Sequence, residues 1–326
     1  GQLPDDDGPA DTNFAPSAGD VEKGKNDIEN DGKVDVSGSV SDPDGDSLSV
    51  SDVSDGATGD GLEIAVNDLT LGQNNTFDFT VSDGNGGTDT ATLTIDLSGA
   101  DTDLDLSGVG SERVLDITGD GGSNTIDGGA GDDTIEGGAG ADTLTGGNGA
   151  DTFVFNDGDG VGPTTTTTGT TLGSESSGPQ DRSDNGTLTF GDGVDKITDF
   201  GKGNDTIDFN GQSFAATDTI ASMTPQPGTF AVASDGMVQL LKFPGNNGAS
   251  DGSEEFFFAP GNFQEGSNGD PDTFTIGSDA GGAAGSGAGN NFAVFQLDDN
   301  ASVGANGEVD VTGISDIGVV TNEALA

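Results

Sequence analysis

The most regularly spaced side chains in this sequence that could do chemistry belong to a repeat of nine residues. Residues 119–154 divide into GDGGSNTID, GGAGDDTIE, GGAGADTLT and GGNGADTFV. Each unit has a glycine-rich turn, a carboxylate or amide in the sixth place, threonine in the seventh and an apolar residue in the eighth. The pattern returns as FGDGVDKIT over 190–198 and as FGKGNDTID over 200–208. A short fixed period of this kind predicts a solenoid in which successive turns stack.

The chemistry available to stacked turns is the binding of a hard cation. Two units complete one coil, so turns two units apart lie on the same edge, about 4.8 Å from each other. Glycine in the first, second and fourth places allows positive φ angles and brings carbonyl groups close together. The sixth-place carboxylate then points into the gap between turns, and Ca²⁺ takes roughly six to eight oxygen ligands of these kinds. We therefore expect calcium on the edges. The eighth-place side chains should fill the narrow core: Ile126, Ile135, Leu144, Phe153, Ile197 and Ile207.

A second group of aspartates lies in two acidic turns earlier in the chain. The turn SDPDGDS over 41–47 is followed, at 82–89, by the turn SDGNGGTD. The first turn has two interpretations: a loop that holds a cation, or a solvated turn in which aspartate is favoured because it tolerates turn geometry. An EF-hand loop is not matched, because Val53 stands where its final glutamate ligand should be.

The composition excludes several classes of function. The 326 residues include 59 Asp or Glu and 8 Lys or Arg, for a net charge of −51, so no basic patch can form for nucleic acid or for an anionic membrane surface. The sequence contains no Cys, His, Trp or Tyr, which removes disulfides, thiolate or histidine metal sites and nucleophilic catalysis through histidine. There is no apolar run long enough to span a membrane, so we predict no membrane insertion. We also predict that the protein is not an enzyme.

The elements that position these groups are predicted to be strands. Between 18 and 98, apolar and polar residues alternate in short runs separated by turn signals, which predicts an antiparallel β-sandwich. Strand patterns return after residue 209, as in TFAVAS, MVQLLKF, DTFTIG and FAVFQL. We predict an all-β protein with an N-terminal arm over 1–17, a β-sandwich over 18–100, a central parallel β-roll over 101–209 with 156–189 looped out, and a C-terminal β-rich capping domain over 210–326.

The repeat resembles that of the RTX (repeats-in-toxin) family of secreted bacterial proteins, and the sequences DTFVF, DKITDF and GNDTIDF resemble the usual end of its roll. This resemblance covers about 119–209. It implies a calcium-binding β-roll, with Asn124 as a departure in the first unit because an amide carries less charge than a carboxylate. The sixth-place ligands that it implies are Asp133, Asp142, Asp151, Asp195 and Asp205.

The same resemblance implies a place outside the cell. The family is mostly exported by a one-step (type I) route with an uncleaved C-terminal signal. Residues 243–326 contain no Lys or Arg, and residues 1–20 show no N-terminal signal pattern, which both fit that route. We therefore expect a secreted protein, extracellular or at the cell surface.

The N-terminal sequences NFAPSAGD, VSDPDGDSLSV and FTVSDGNGGTDTATLTI resemble the cadherin-like and Ig-like domains of bacterial surface adhesins. This second resemblance implies a cation loop formed by Asp42, Asp44 and Asp46, with Asp83 and Asp89 nearby.

These observations predict a secreted, calcium-stabilised structural protein that forms a homopolymer at or beyond the bacterial cell surface, as a filament, matrix or S-layer subunit. A first alternative is a monomeric calcium-dependent adhesin or carbohydrate-binding module for cell-surface polysaccharide, although without Trp or Tyr an aromatic platform is hard to build. A second alternative is a secreted hydrolase with an RTX tail, which would have to rely on carboxylates such as Glu254 and Glu255.

Overall fold

The fold is known from a computed structural model. It describes residues 13–99, 103–111, 113–156, 159, 165–167, 171–172, 187–190, 194–200, 204–209, 212–215, 256–264, 266, 270–276, 291–297, 309–310 and 314–320. The chain divides into two compact units, Gly1–Gly99 and Ala100–Ala326. The predicted all-β class is confirmed: among the residues just given, helical conformation is confined to two 3-10 turns, Lys25–Asp27 and Ser37–Ser39.

The N-terminal unit is a β-sandwich built from ten strands. They are β1 (Ser17–Ala18), β2 (Val21–Gly24), β3 (Lys33–Asp35), β4 (Val40–Ser41), β5 (Ser49–Val53), β6 (Thr58–Asp60), β7 (Glu63–Ala65), β8 (Asp68–Thr70), β9 (Asn74–Ser82) and β10 (Thr88–Asp96). One sheet has the order β2-β10-β9-β5, a second has the order β3-β7-β6, and β1 pairs with β4. Alternate residues of the long strands are buried, including Phe77, Phe79 and Val81 of β9 and Leu93 and Ile95 of β10.

One pairing in this sandwich differs from the antiparallel prediction. Strand β2 runs parallel to β10, with Val21 opposite Leu93. The chain pairs first with β4 through β1, and then crosses to the outer edge of the larger sheet, where its direction matches that of β10. Such a crossing depends on where the last strand of the unit lies, which a local alternation pattern does not encode.

The C-terminal unit contains seventeen strands among its described residues. They are β11 (Leu104–Asp105), β12 (Asp116–Thr118), β13 (Thr125–Asp127), β14 (Thr134–Glu136), β15 (Thr143–Thr145), β16 (Thr152–Phe155), β17 (Thr165–Thr167), β18 (Thr171–Leu172), β19 (Thr187–Phe190), β20 (Asp195–Ile197), β21 (Thr206–Phe209), β22 (Gln212–Ala215), β23 (Phe256–Gln264), β24 (Asp272–Ile276), β25 (Asn291–Leu297), β26 (Val309–Asp310) and β27 (Ile314–Val320). The predicted strands TFAVAS and MVQLLKF, like residues 1–12 of the arm, lie outside the described residues.

The central part of this unit is the predicted parallel β-roll. Strands β11, β13, β15 and β20 form one wall, and β12, β14, β16 and β21 form the other, with every neighbouring pair parallel. The eighth-place residues are in register: Leu144 lies opposite Ile126 and Ile197, and Phe153 lies opposite Ile135 and Ile207. The strand pattern therefore resumes in phase after the interruption. Strands β17 and β19 of the interruption do not lie between the coils: β17 pairs with β19, and β19 pairs with β24, in the part of the sheet beyond the last coil.

The roll begins one coil earlier than the repeat. Strands β11 and β12 extend its two walls, with Leu104 opposite Ile126 and Ile117 opposite Ile135. This first coil lacks the glycine pattern but buries Leu104 and Ile117 as the later coils bury their eighth-place residues. Its register follows from stacking on the second coil.

The C-terminal strands continue both walls beyond the last repeat. Strand β27 joins β20 in parallel, and β25, β23, β24, β19 and β17 follow in antiparallel order. On the other wall, β22 pairs antiparallel with β21. These strands satisfy backbone groups that the last coil would otherwise leave unpaired, and the C-terminal capping domain over 210–326 stays a prediction.

The roll core gives a first testable prediction. Ile135 is fully buried between the eighth-place side chains of the coils on either side, so Ile135→Ala should leave a cavity and lower the free energy of unfolding by about 2–5 kcal/mol. Urea unfolding with saturating calcium measures the loss. The control is Thr125→Ala, at an exposed strand position, which should change the free energy by under about 0.5 kcal/mol. Equal losses in the two variants would contradict this view of the core.

Candidate metal centre

The sixth-place residues stack on two edges of the roll. The first edge carries Leu115, Asp133, Asp151 and Asp205, and the second carries Asn124, Asp142 and Asp195. On both edges the Oδ1 atom of each aspartate accepts a hydrogen bond from the backbone N–H of the sixth-place residue one coil before. The N–O distances are 2.8 Å for Leu115–Asp133, 3.0 Å for Asp133–Asp151, 3.1 Å for Asp151–Asp205, 2.7 Å for Asn124–Asp142 and 2.9 Å for Asp142–Asp195. The register thus places Asp195 on the edge of Asp142, and Asp205 on the edge of Asp151, as predicted.

These carboxylates are removed from water. Each of the five aspartates has an exposed fraction of 1%. Burial raises the pKa of Asp133 to about 6 and those of Asp142 and Asp151 to about 7; at Asp151 the charges of Asp205, Asp133 and Asp199 add to the effect of burial. The Oδ2 atoms of Asp133 and Asp142 are buried and have no hydrogen-bond partner. A buried carboxylate without a compensating cation is costly, so both edges favour a bound positive charge.

The glycines of the turn make room for this arrangement in two ways. Gly147, in the second place, has a φ of 103°, and a Cβ there would collide with the carbonyl oxygen of Gly129. Gly137, in the first place, has no positive φ, which corrects the expectation for that place. Its role is space, since a Cβ would lie 2.5 Å from Oδ2 of Asp142 in its own turn. The first glycine keeps the unbonded carboxylate oxygen clear.

The donor set fits calcium. The free Oδ2 atoms are hard oxygen donors, and the close approach of stacked turns brings backbone carbonyl oxygens to the same edges. Ca²⁺ prefers these oxygen types and accommodates irregular ligand numbers. The residues that would hold it are the aspartates of the two edges and the carbonyl groups of their turns.

Asn124 differs from the aspartates that share its place. Its Oδ1 atom accepts a hydrogen bond from the N–H of Asp120 at 2.9 Å, and its Nδ2 donates to Oδ1 of Asp120 at 3.3 Å. The side-chain amide of Asn124 therefore forms hydrogen bonds within its own turn, whereas the side chains of the aspartates accept hydrogen bonds from the preceding coil. This departure from the repeat has a structural cause, because Asp120 occupies the second place where the following turns have glycine.

Asp199 is a buried residue of this region that sequence reasoning passed over. It is the extra residue that breaks the nine-residue spacing, and its exposed fraction is 6%. Its two oxygens accept hydrogen bonds from Gly146 N at 3.0 Å and from Gly147 N at 2.8 Å. The only signal in the sequence was the change in spacing from nine to ten residues.

The N-terminal unit brings together three of its five predicted ligands. One carboxylate oxygen from each of Asp42, Asp44 and Asp46 lies within 4.8 Å of the others. Oδ1 of Asp42 also closes the turn, accepting from the N–H groups of Asp44 and Asp46 at 2.8 and 3.0 Å.

Asp83 and Asp89 are outside that group. Oδ1 of Asp83 accepts from Asn85 N and Gly87 N, and Oδ2 of Asp89 accepts from Ala18 N. Hydrogen bonds lower the pKa of both carboxyls, that of Asn13 Nδ2 being the largest cause at Asp83 and that of Ala18 N–H at Asp89. Cation binding by any of the five stays a prediction.

Comparison with known families gives a match in each of the two regions. Residues 118–159 match the family model of the RTX calcium-binding nonapeptide repeat in four copies, and residues 13–96 match that of a bacterial Ig domain. Neither the curated proteins nor the solved structures gave a significant match. Both predicted resemblances are confirmed. RTX nonapeptide repeats bind calcium, so calcium is the metal of this roll.

The two family matches are also informative about location, because they are typical of secreted or surface proteins. Within the described parts of the chain there is no helix of the length and apolar character needed to cross a bilayer. The units at 190–208 lie beyond the RTX match and join the roll by their register alone.

The raised pKa values predict how the calcium-free roll responds to pH. The carboxyls of Asp133, Asp142 and Asp151 have folded pKa values of about 6 to 7 against an ordinary 3.8. Their protonation adds stability that is fully present below the ordinary value and is lost as the pH rises through the folded values. With chelator, Tm should therefore fall between about pH 5 and about pH 8. With saturating calcium the trend should reverse, because protons compete with the metal.

The control for this pH prediction is the triple variant Asp133→Asn, Asp142→Asn, Asp151→Asn, since the rest of the acidic surface also titrates. With chelator its Tm should fall less steeply with pH than that of the unaltered protein. Equal slopes would show that these carboxyls do not titrate as the structure requires.

Charge removal on one edge should weaken calcium binding directly. The double variant Asp133→Asn, Asp151→Asn keeps side-chain size and an acceptor oxygen, but removes two negative charges from the first edge. Calorimetric titration should show fewer bound calcium ions, and Tm with calcium should fall. Asp132→Asn is the matched control, because Asp132 is an exposed neighbour whose Oδ1 accepts from Ala150 N. Unchanged calcium stoichiometry in the double variant would refute the assignment of this edge.

Proposed function

We propose that this is a secreted, calcium-stabilised structural protein, without catalytic activity, whose copies form a homopolymer at or beyond the bacterial cell surface. The observation that carries the proposal is that two edge strands of the C-terminal unit contain no charged residue. Beyond the last repeat, the two sheets that contain the roll walls end at β17 and β22, each with a single partner strand among the described residues. Their sequences, TTT and QSFA, contain no charged residue in a chain with 59 acidic ones.

Uncharged edge strands are suited to pairing with another chain. Proteins that stay monomeric usually protect an edge with charge, proline or a bulge, and none of these interrupts β17 or β22. Strand addition uses backbone hydrogen bonds, so it requires no large apolar patch. This route suits a chain in which only 30% of residues are hydrophobic.

The net charge makes assembly depend on cations. At −51 per subunit, like-charge repulsion opposes every contact between copies. Calcium bound along the roll lowers that charge by two for each ion, and salt screens the remainder within a Debye length. The ion that completes the turns thereby also lowers the barrier to association.

The N-terminal arm supplies a second route to contact. Its described part is attached to the sandwich: Asn13 Nδ2 donates to Oδ2 of Asp83 at 2.8 Å, and Phe14 N donates to Oδ2 of Asp44 at 2.6 Å. The side chain of Phe14 is 56% exposed. An exposed aromatic ring held in place by its backbone is an apolar anchor for a neighbouring copy.

The proposal predicts calcium-dependent polymerisation. Sedimentation should show monomers at low salt with chelator and polymers with millimolar calcium. Adding a charge to both edge strands, as Thr166→Lys with Ser213→Lys, should suppress the polymers and leave calcium binding intact. Thr125→Lys, on an interior strand of the roll, is the matched control and should still polymerise.

Removal of residues 1–12 combined with Phe14→Ala tests the arm independently of the edge strands. The change removes the exposed ring but keeps Asn13 Nδ2 and the backbone N–H of Phe14 in their contacts, so the sandwich should remain folded while the contribution of the arm is lost. A monomer at every calcium and protein concentration would overturn the proposal and favour a monomeric adhesin that binds cell-surface polysaccharide.

A further inference from the structure

The buried carboxylate of Asp199 lies at the place where the four units over 119–154 have glycine. Leu144 lies opposite Ile197 in the roll wall, so Asp199 lies opposite Gly146, the first residue of its turn. The earlier turns have glycine in that place because a Cβ would crowd the sixth-place carboxylate, as at Gly128, where it would lie 2.8 Å from Oδ2 of Asp133. We therefore ask which contacts favour an aspartate over glycine at this place.

The hydrogen bonds of Asp199 replace a backbone contact of the regular roll. In the earlier coils, the first-place N–H donates to the ninth-place carbonyl of the next coil: Gly119 N to Glu136 O at 2.7 Å, and Gly128 N to Thr145 O at 3.0 Å. At Gly146 the acceptor is Oδ1 of Asp199, and the N–H of Gly147 is bound by Oδ2. In the earlier turn the second-place N–H, that of Gly129, donates to Oδ1 of Asp127 at 3.1 Å, within the same coil. At Gly146 and Gly147 a single carboxylate from the next coil accepts both bonds, and charge-assisted bonds are the stronger kind.

The last coil needs such an attachment because a long insertion in the chain separates it from the coil before. The chain leaves the roll after β16 and rejoins it at β20, so residues about fifty apart in sequence must be brought into register. The turn from Asp199 to Asp205 is also one residue longer than the turn from Gly146 to Asp151. With Asp199 bound at its start and Asp205 bound to Asp151 N at its end, the longer turn is held at both ends.

We propose that Asp199 is a positioning residue for the calcium site between the last two coils of the first edge, the site of Asp151 and Asp205. Each Asp199 oxygen accepts a backbone N–H, so the role assigned to the side chain is to hold the Gly146–Gly147 backbone in place. The proposal concerns this one site and is independent of assembly. It follows that calcium affinity there depends on a residue outside the nine-residue pattern.

The test uses the full-length chain with Asp199→Asn, which keeps the side-chain size but can accept only one of the two hydrogen bonds. Calorimetric titration should show one calcium site weakened about 10- to 100-fold, the usual effect of losing a group that orients a ligand. Hydrogen exchange should be faster at Gly146 and Gly147 and unchanged at Gly128. Glu136→Gln, a charge removal at a ninth-place position in the same roll, is the control and should alter neither measurement.

Two results would overturn the proposal. One is calcium binding by Asp199→Asn equal to that of the unaltered protein, even if the Gly146 amide exchanges faster, because the role would then be structural only. The other is weakened calcium binding with unchanged exchange at Gly146 and Gly147, because the side chain would then act as a ligand. If the variant folds poorly, circular dichroism during a calcium titration still reports the site, and the folding midpoint should rise about 10-fold or more.

Discussion

The stacking of like-charged carboxylates at the spacing of a parallel sheet is the constraint on which this structure depends. Neighbouring sixth-place aspartates are joined through one Oδ1 and one backbone N–H, which fixes their separation and buries them. The Oδ2 atoms of Asp133 and Asp142 are buried at these edges without a hydrogen-bond partner, where a cation can compensate their charge. Coulomb repulsion between such groups is weakly screened when they are buried, so a bound cation stabilises this part of the fold.

The two units meet the cost of chain entropy by different means. In the N-terminal unit, the long strands β9 and β10 bury alternate large side chains in a sandwich core. The roll has little space for a core, and each coil buries only one eighth-place side chain per wall, such as Ile126 or Ile135. Its stability has to come from the ion and from the backbone ladder, and for this reason glycine and aspartate occupy most of its turns.

The ends of the roll show what the repeat by itself does not provide. The first coil, from β11 to β12, has apolar residues in register but Leu115 in the place of an aspartate, so its N–H joins the hydrogen-bond ladder without adding a carboxylate. At the other end, β27 and β22 continue the walls with strands of different sequence. The stacked carboxylates thus lie between segments that continue the strand pairing of the walls but add no sixth-place carboxylate.

The sequence by itself determined the features that recur in every coil: the all-β class, the two edges, the calcium chemistry and the phase in which the pattern resumes at Asp195 and Asp205. A periodic structure imposes the same demands on each unit, so those demands are repeated in the sequence. Tertiary structure alone decided the features that occur once, among them the parallel pairing of β2 with β10 and the placement of Asp83 and Asp89 outside the carboxylate group of Asp42, Asp44 and Asp46. Asp199 belongs with these, because its partners Gly146 and Gly147 lie more than fifty residues away and no local pattern identifies them.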